Sequence, residues 1–138
     1  MTDIIKTSLT PQLKEYIYQQ FSRHSIASLG FNGLSGEPVA FEIRANEELQ
    51  GVCTVQHAWG GLHIKYLVVD EKYRGQGIGR RLMEHALEYG KALGCSLAFV
   101  ETMSFQAPEF YLKLGFKVDL KREGYTGGTS FYYLSRGL

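Results

Sequence analysis

The chain has 138 residues, 44% apolar and 21% charged, with a formal net charge of +1. Those values suit one globular domain over residues 1–138 and give no electrostatic footprint for nucleic acid. No apolar run approaches membrane-spanning length, and the N-terminal MTDIIKTSL has no basic region followed by a long apolar stretch, so the cytoplasm is the default compartment. Cys53 and Cys95 form neither a disulfide framework nor a metal-ligand spacing, and the four histidines are scattered, so no metal site is expected.

Thr10 and Pro11 read as N-cap and first residue of a helix, followed by apolar residues at Leu13, Ile17 and Phe21. That stripe reads as core. The helix should break before Gly30, and residues 31–38 read as a loop. Val39, Phe41 and Ile43 alternate with polar or small residues, which predicts a half-buried strand. A turn at residues 46–48 leads to a second strand over 49–57, in which Gly51 reads as a bulge. Another turn, at 59–61, leads to a third strand over 62–69. Three successive antiparallel strands are not the alternating pattern of a doubly wound sheet.

A polar, glycine-rich turn follows: Arg74, Gly75, Gln76, Gly77, then Ile78, Gly79 and Arg80, with a helical period starting at Ile78. Strand, glycine turn and helix make an anion cradle, because glycines let a ligand approach the backbone and the first helical N–H groups have no intrahelical acceptor. The glycines do not fit G-x-G-x-x-G, and there is no G-x-x-x-x-G-K-[ST]. They do fit R-x-x-G-x-G, filled by Arg74, Gly77 and Gly79.

The helix carries Leu82, Met83, Ala86, Leu87 and Leu93 on one face, with Gly94 as its stop. Residues 95–100 read as a strand parallel to 62–69, because the connection crosses over. A short helix is predicted from Pro108 to Gly115 within F-Y-x-x-L-G-F, formed by Phe110, Tyr111, Leu114, Gly115 and Phe116. Two last strands, 116–120 and 130–134, complete the chain.

Both motifs, in this order, closely resemble the GNAT superfamily of acyl-CoA-dependent N-acetyltransferases. The resemblance covers residues 49–138 well and the first 48 only in outline. It implies an α/β fold of the α+β type, a mixed, mostly antiparallel central sheet with helices on both faces. It also implies acetyl-CoA as acyl donor, a primary amine as acceptor and a homodimer through the C-terminal strands; nucleic acid and membrane are not expected as partners.

By the same resemblance, the backbone of Leu67, Val68 and Val69 binds the pantetheine arm, and residues 74–80 bind the pyrophosphate. Tyr111 is placed as general acid beside the sulfur. The pattern's pantetheine-binding Asn, seven residues before that Tyr, is here Ser104, with Gln106 as a neighbouring substitute. The first helical region and its loop help to wall the acceptor pocket.

For the base, the residues offer His63, in phase with Lys65 and Leu67, ahead of Glu101, with Glu42 as a further rival. The resemblance also implies a water chain as the alternative to all three. Trp59, Tyr66, Tyr125 and Tyr132 are candidates for the acceptor pocket. Nothing beside Cys53 suggests an activated thiolate, which favours direct attack over an acyl-enzyme. The leading acceptor is a small-molecule amine, with a protein lysine or N-terminus as alternative. A non-catalytic acyl-CoA sensor, or an interaction protein with an idle loop, are the readings from other classes.

Overall fold

Two tight turns set the first half of the sheet. In the computed structural model, which describes residues 2–34 and 36–138, strands β1 (Val39–Ala45), β2 (Glu48–Ala58) and β3 (Gly61–Val69) follow one another directly. Ala45 pairs with Glu48 and Ala58 with Gly61, leaving two-residue connections. Asn46 (φ 51°) and Glu47 (φ 68°) form one, and Trp59 (φ 58°) and Gly60 (φ 75°) the other. Positive φ at both central residues is the type I′ geometry, whose twist matches that of the strands it joins.

Helix α2 (Ile78–Ala92) carries the chain from β3 to β4 (Leu97–Met103), which pairs parallel to β3. Helix α3 (Pro108–Lys113) follows, then β5 (Lys117–Arg122) and β6 (Phe131–Gly137). The last strand inserts beside β4, giving the order β1-β2-β3-β4-β6-β5 with one parallel pair. The fold is thus a mixed, mostly antiparallel sheet with helices, as the sequence implied.

Helices α2 and α3 pack on the same face. Ile78, Leu82, Met83, Ala86 and Leu87 of α2 meet Cys53, Val55, Leu62, Ile64, Ala98, Val100 and Leu134 of the sheet, and Tyr111, Leu114 and Phe116 join the same core. Each large apolar side chain buried there is worth roughly 2 kcal/mol. Two glycines permit the close approach. A Cβ at Gly51 would lie 2.9 Å from Ile78 and 3.1 Å from Leu82, and one at Gly90 would lie 2.7 Å from Leu62. Gly51 is therefore not the bulged residue expected of it: Ile43 faces Gly51 and Arg44 faces Leu49, so the extra residue is Gln50.

The chain divides into two compact units, residues 1–34 and 35–138. In the first, helix α1 (Pro11–Leu29) starts at Thr10, whose side chain accepts from the Leu13 N–H, and stops at Gly30 in the left-handed region. Ser25 folds the following loop back by donating to the Phe31 carbonyl at 2.7 Å and accepting from the Gly33 N–H at 3.2 Å. The apolar stripe of α1 is not core as expected: Leu13, Ile17 and Phe21 are all exposed. Among the described residues no helix is long and apolar enough to cross a membrane.

Candidate active site

One extra residue opens the sheet. Val55 of β2 faces Ile64 of β3, but the preceding Thr54 faces Tyr66, so Lys65 is bulged out of the ladder. A bulge bends its strand and sharpens its twist. The parallel pairing of β3 with β4 ends there, at Ile64 opposite Val100, although β3 runs on to Val69 and β4 to Met103. The two strands part into a notch of about 160 Å³, lined by Lys65, Leu67, Glu101, Thr102, Gln106 and Tyr111 among others. Along the notch, no strand among the described residues pairs with β3 on its β4 side, so its backbone polar groups there are left for a ligand or water.

Side chains two apart share a face only while the period of two is kept. The bulge breaks it. Leu67 faces Cys53 and shares the helix-covered face with Ile64, while His63 faces Gln56 on the other side. The expected phase of His63 with Leu67 is therefore lost.

On the helix-covered face the notch adjoins a cleft of about 580 Å³, where Leu67, Val69, Arg74, Gly79, Phe110 and Tyr111 meet. Arg74 and Gly79, at the two ends of the glycine turn, line it. Gly75 and Gly77 both have φ 79°, and Gly77 is the N-cap of α2. A glycine cap has no side chain to accept from the first turn, and α2 has no side-chain cap bond. A glycine cap costs the chain only about a few tenths of a kcal/mol and leaves the N–H groups of Ile78, Gly79 and Arg80 open. Ile78 itself is buried in the core, and Arg80 pairs with Glu84 at 2.9 Å along the helix, so Arg74 is the loop cation that lines the cleft.

Tyr111 borders both cavities. It is held edge-on by Phe110 (ring centroids 5.1 Å apart) and Phe116 (5.8 Å). Burial, with a smaller contribution from the neighbouring Cys53, pushes its hydroxyl up to about 12. Cys53 is fully buried, and burial pushes its thiol up to about 11, so it is no activated nucleophile.

The two candidate bases are one unit. His63 Nε2 lies 2.8 Å from Glu101 Oε1, both side chains being partly exposed. The His63 ring lies parallel to Phe99, with centroids 4.5 Å apart, and Phe99 stacks in turn on Tyr133 at 5.7 Å. Burial holds the imidazole below its ordinary value; Glu101 opposes this and Lys65 adds to it. His63 is therefore neutral near pH 7 and able to accept a proton.

Not every expected residue arrives. Glu42 pairs with Arg44 at 2.7 Å and lines a groove between β1 and α2, away from the notch. Ser104 lines neither cavity: its hydroxyl bonds Thr129 at 2.8 Å and accepts from the Ser130 N–H at 2.9 Å. Gln106 lines both, while its Oε1 accepts from the Met103 N–H at 3.0 Å. Of the four aromatic candidates, Tyr66 borders the notch; Trp59, Tyr125 and Tyr132 line neither cavity. Phe105, Thr102 and Ala107 also line the site without having been singled out in the sequence. Ala107 sits at φ 66°, a conformation that its residue type gives no reason to expect.

Residues 5–116 match the acetyltransferase (GNAT) family. This chain belongs to the GNAT family. A blasticidin-S acetyltransferase of Streptomyces morookaense is 35% identical over 92 residues, 66% of this chain and 68% of that protein. A peptidyl-lysine N-acetyltransferase of Salmonella typhimurium is 43% identical over 63 residues, 46% of this chain, and the match spans only 41% of its length. An acetyltransferase structure from Bacillus cereus superposes with a TM-score of 0.82 at 29% identity, covering 99% of this chain and 98% of the other. A Bacillus anthracis protein solved in complex with acetyl coenzyme A shares the fold, with a TM-score of 0.67 at 21% identity over 75% of this chain and 64% of that one.

As a GNAT member the chain is an acetyltransferase, and the acyl donor of the family is acetyl-CoA. The residues present fit that donor. An uncapped helix N-terminus with Arg74 beside it suits a pyrophosphate, and a strand edge without a partner suits the amides of a pantetheine arm. The Ser104 side chain is spent on another contact. Among the described residues no group of three or more His, Cys, Asp or Glu is placed to hold a metal ion.

Proposed function

We propose that this GNAT acetyltransferase transfers the acetyl group of acetyl-CoA to the primary amine of a small molecule, by direct attack in a ternary complex. The observation that carries the reading is the notch itself: it opens where the glycine turn can hold the donor and is bordered by Tyr111 and Glu101 together.

Acetyl-CoA supplies the thioester, whose carbonyl carbon forms the new C–N bond as its C–S bond breaks. The loop N–H groups and Arg74 hold the pyrophosphate, and the backbone at Leu67, Val68 and Val69 holds the pantetheine arm. Glu101 accepts the Nε2–H of His63, which leaves the lone pair on Nδ1. His63 itself lines neither cavity, so that nitrogen takes the proton from the attacking amine through water. Tyr111 donates a hydrogen bond to the departing sulfur. With the hydroxyl near 12 and a thiol ordinarily near 8.5, full proton transfer to sulfur is uphill, so Tyr111 stabilises the thiolate and solvent supplies the final proton. Cys53, buried and protonated, takes no covalent part.

The identity to a peptidyl-lysine enzyme supports a second reading, in which the acceptor is a protein lysine. Calorimetric titration with acetyl-CoA, together with thiol release over a panel holding blasticidin S, other small amines and a lysine peptide, tests both. Turnover with a small amine supports the first, and turnover with the peptide alone supports the second. Binding without turnover favours an acyl-CoA sensor. Absence of binding by folded protein overturns the donor site at residues 74–80.

A further inference from the structure

The sheet face turned away from α2 and α3 carries a row of rings that the motifs do not account for. His63, Phe99 and Tyr133 come from three neighbouring strands, β3, β4 and β6. Register places Phe99 beside His63 and Tyr133 beside Glu101. The His63 and Phe99 planes differ by only 11°, and those of Phe99 and Tyr133 by 23°. The ion pair and the ring stack thus converge on one imidazole from the same neighbouring strand, β4.

We propose that Phe99 is a positioning residue for His63: its ring bars the imidazole from turning over, so that Nε2 stays on Glu101 and Nδ1 remains the one proton acceptor. The inference rests on His63 serving as the base, and its physical content is separable from that reading. A neutral imidazole turned by half a revolution exchanges its two nitrogens, and only one arrangement keeps the 2.8 Å contact with Glu101. A parallel ring at 4.5 Å blocks the out-of-plane sweep that the exchange requires.

The same ring excludes water from one face of the imidazole. A stacked ring also attracts an imidazolium, by about 0.5–1 kcal/mol at exposed sites. Burial is nevertheless the largest influence on His63, and it favours the neutral form. The charged groups that act on the ring are Glu101 of β4, which favours the cation, and Lys65 of β3, which disfavours it. On β2 the facing residue is the neutral Gln56, whose Oε1 accepts from Lys65 Nζ at 3.2 Å. Beyond Phe99 stands Tyr133 of β6, whose hydroxyl is raised by burial first and then by Asp119 and Glu101. Asp119 of β5 itself accepts from the Ser135 hydroxyl.

Imidazole nitrogen NMR across a pH titration decides the matter without any acceptor. In the unaltered protein His63 should titrate below about 6.5 with the proton on Nε2. Phe99→Leu should move the titration upward and mix the two tautomers, and Phe99→Tyr should retain the original behaviour. Glu101→Gln should move it downward, the opposite sign, because the attracting charge is gone. A Phe99→Leu protein with unchanged titration and tautomer overturns the proposal. If Phe99→Leu does not fold, Phe99→Tyr and Glu101→Gln still carry the test: a mixed tautomer in the first, or an upward shift in the second, overturns it. The acid limb of kcat/KM, measured with the best amine of the panel, separates the two claims. A limb that follows the NMR shift supports both, whereas a shifted imidazole with an unmoved limb keeps the role of Phe99 and removes His63 from the chemistry.

Discussion

Glu101 and Tyr111 border one notch although they belong to opposite faces of the sheet. Glu101 lies on the face of Phe99 and Tyr133, and Tyr111 belongs to the helix-side core. A group seated between the parted strands therefore meets a carboxyl group on one side and a phenol hydroxyl on the other. A continuous sheet would keep those two sides apart, and the bulge at Lys65 is what joins them.

Replacing Tyr111 by Phe removes one hydroxyl and keeps the edge-on packing with Phe110 and Phe116. If the hydroxyl donates to the departing sulfur, kcat falls roughly 10- to 100-fold with little change in acetyl-CoA affinity, the size of one hydrogen bond to a charged group. Single-turnover kinetics checks this. Full turnover under conditions where chemistry limits the rate withdraws Tyr111 from the mechanism.

Stability should fall as the pH rises above 9. Cys53 is raised from 9.0 to about 11 and Tyr111 from 10.0 to about 12, so between those limits the unfolded chain releases protons that the folded chain keeps. Stability then declines with pH. A difference of two pH units corresponds to about 3 kcal/mol per group at the alkaline end, and the two are neighbours, so the effects do not simply add. Urea unfolding at pH 8 and pH 11 measures the loss, which Tyr111→Phe and Cys53→Ala should each reduce.

Arg74 and Ser104 should separate binding from stability. The Arg74 side chain is exposed and reaches the Val69 carbonyl only at 3.4 Å, so Arg74→Ala should leave Tm nearly unchanged. Loss of a charge-assisted contact to the pyrophosphate should weaken acetyl-CoA binding by about tenfold or more. Ser104→Ala should do the reverse. It removes two hydrogen bonds that fasten the start of β6, at a cost of about 1–2 kcal/mol, and leaves acetyl-CoA affinity unaltered. A large affinity loss in Ser104→Ala would restore the pantetheine contact that the family resemblance implies.

Gly90 lies inside α2, where alanine is ordinarily better by about 1 kcal/mol. The added Cβ would stand 2.7 Å from the Leu62 Cδ2 and 3.3 Å from its Cβ, so a change of rotamer does not clear it. We expect Gly90→Ala to destabilise the fold by about 1–3 kcal/mol despite the better helix former. A urea midpoint at or above that of the unaltered protein would show that the helix gives way easily.

Much of the path was legible because it is local. Thr10 and Pro11 start a helix, Gly30, Gly94 and Gly115 stop three, and the glycines of the turn at 75–79 admit no ordinary strand or helix. The alternation of Val39, Phe41 and Ile43 gave a strand from side chains two apart. The spacing of Arg74, Gly77 and Gly79, followed by F-Y-x-x-L-G-F, pointed to the family before any contact was seen.

What the sequence by itself determined is thus the run of strands, turns and helices and the glycine loop at 75–79, since each depends on residues within a few positions of one another. Only the tertiary structure decided the faces and the partners. The extra residue at Lys65 shows itself only in the pairing with β2, yet it reverses the face of all that follows in β3 and separates His63 from Leu67. Insertion of β6 beside β4 sets Tyr133 on Phe99. The loop before β6 draws the hydroxyl of Ser104 to Thr129 and Ser130. His63 and Glu101, two rivals in the sequence, became one pair because parallel strands brought them together. Local propensity fixes elements, but register is settled by side chains distant in the chain, and a period of two makes one residue of slip enough to exchange inside for outside.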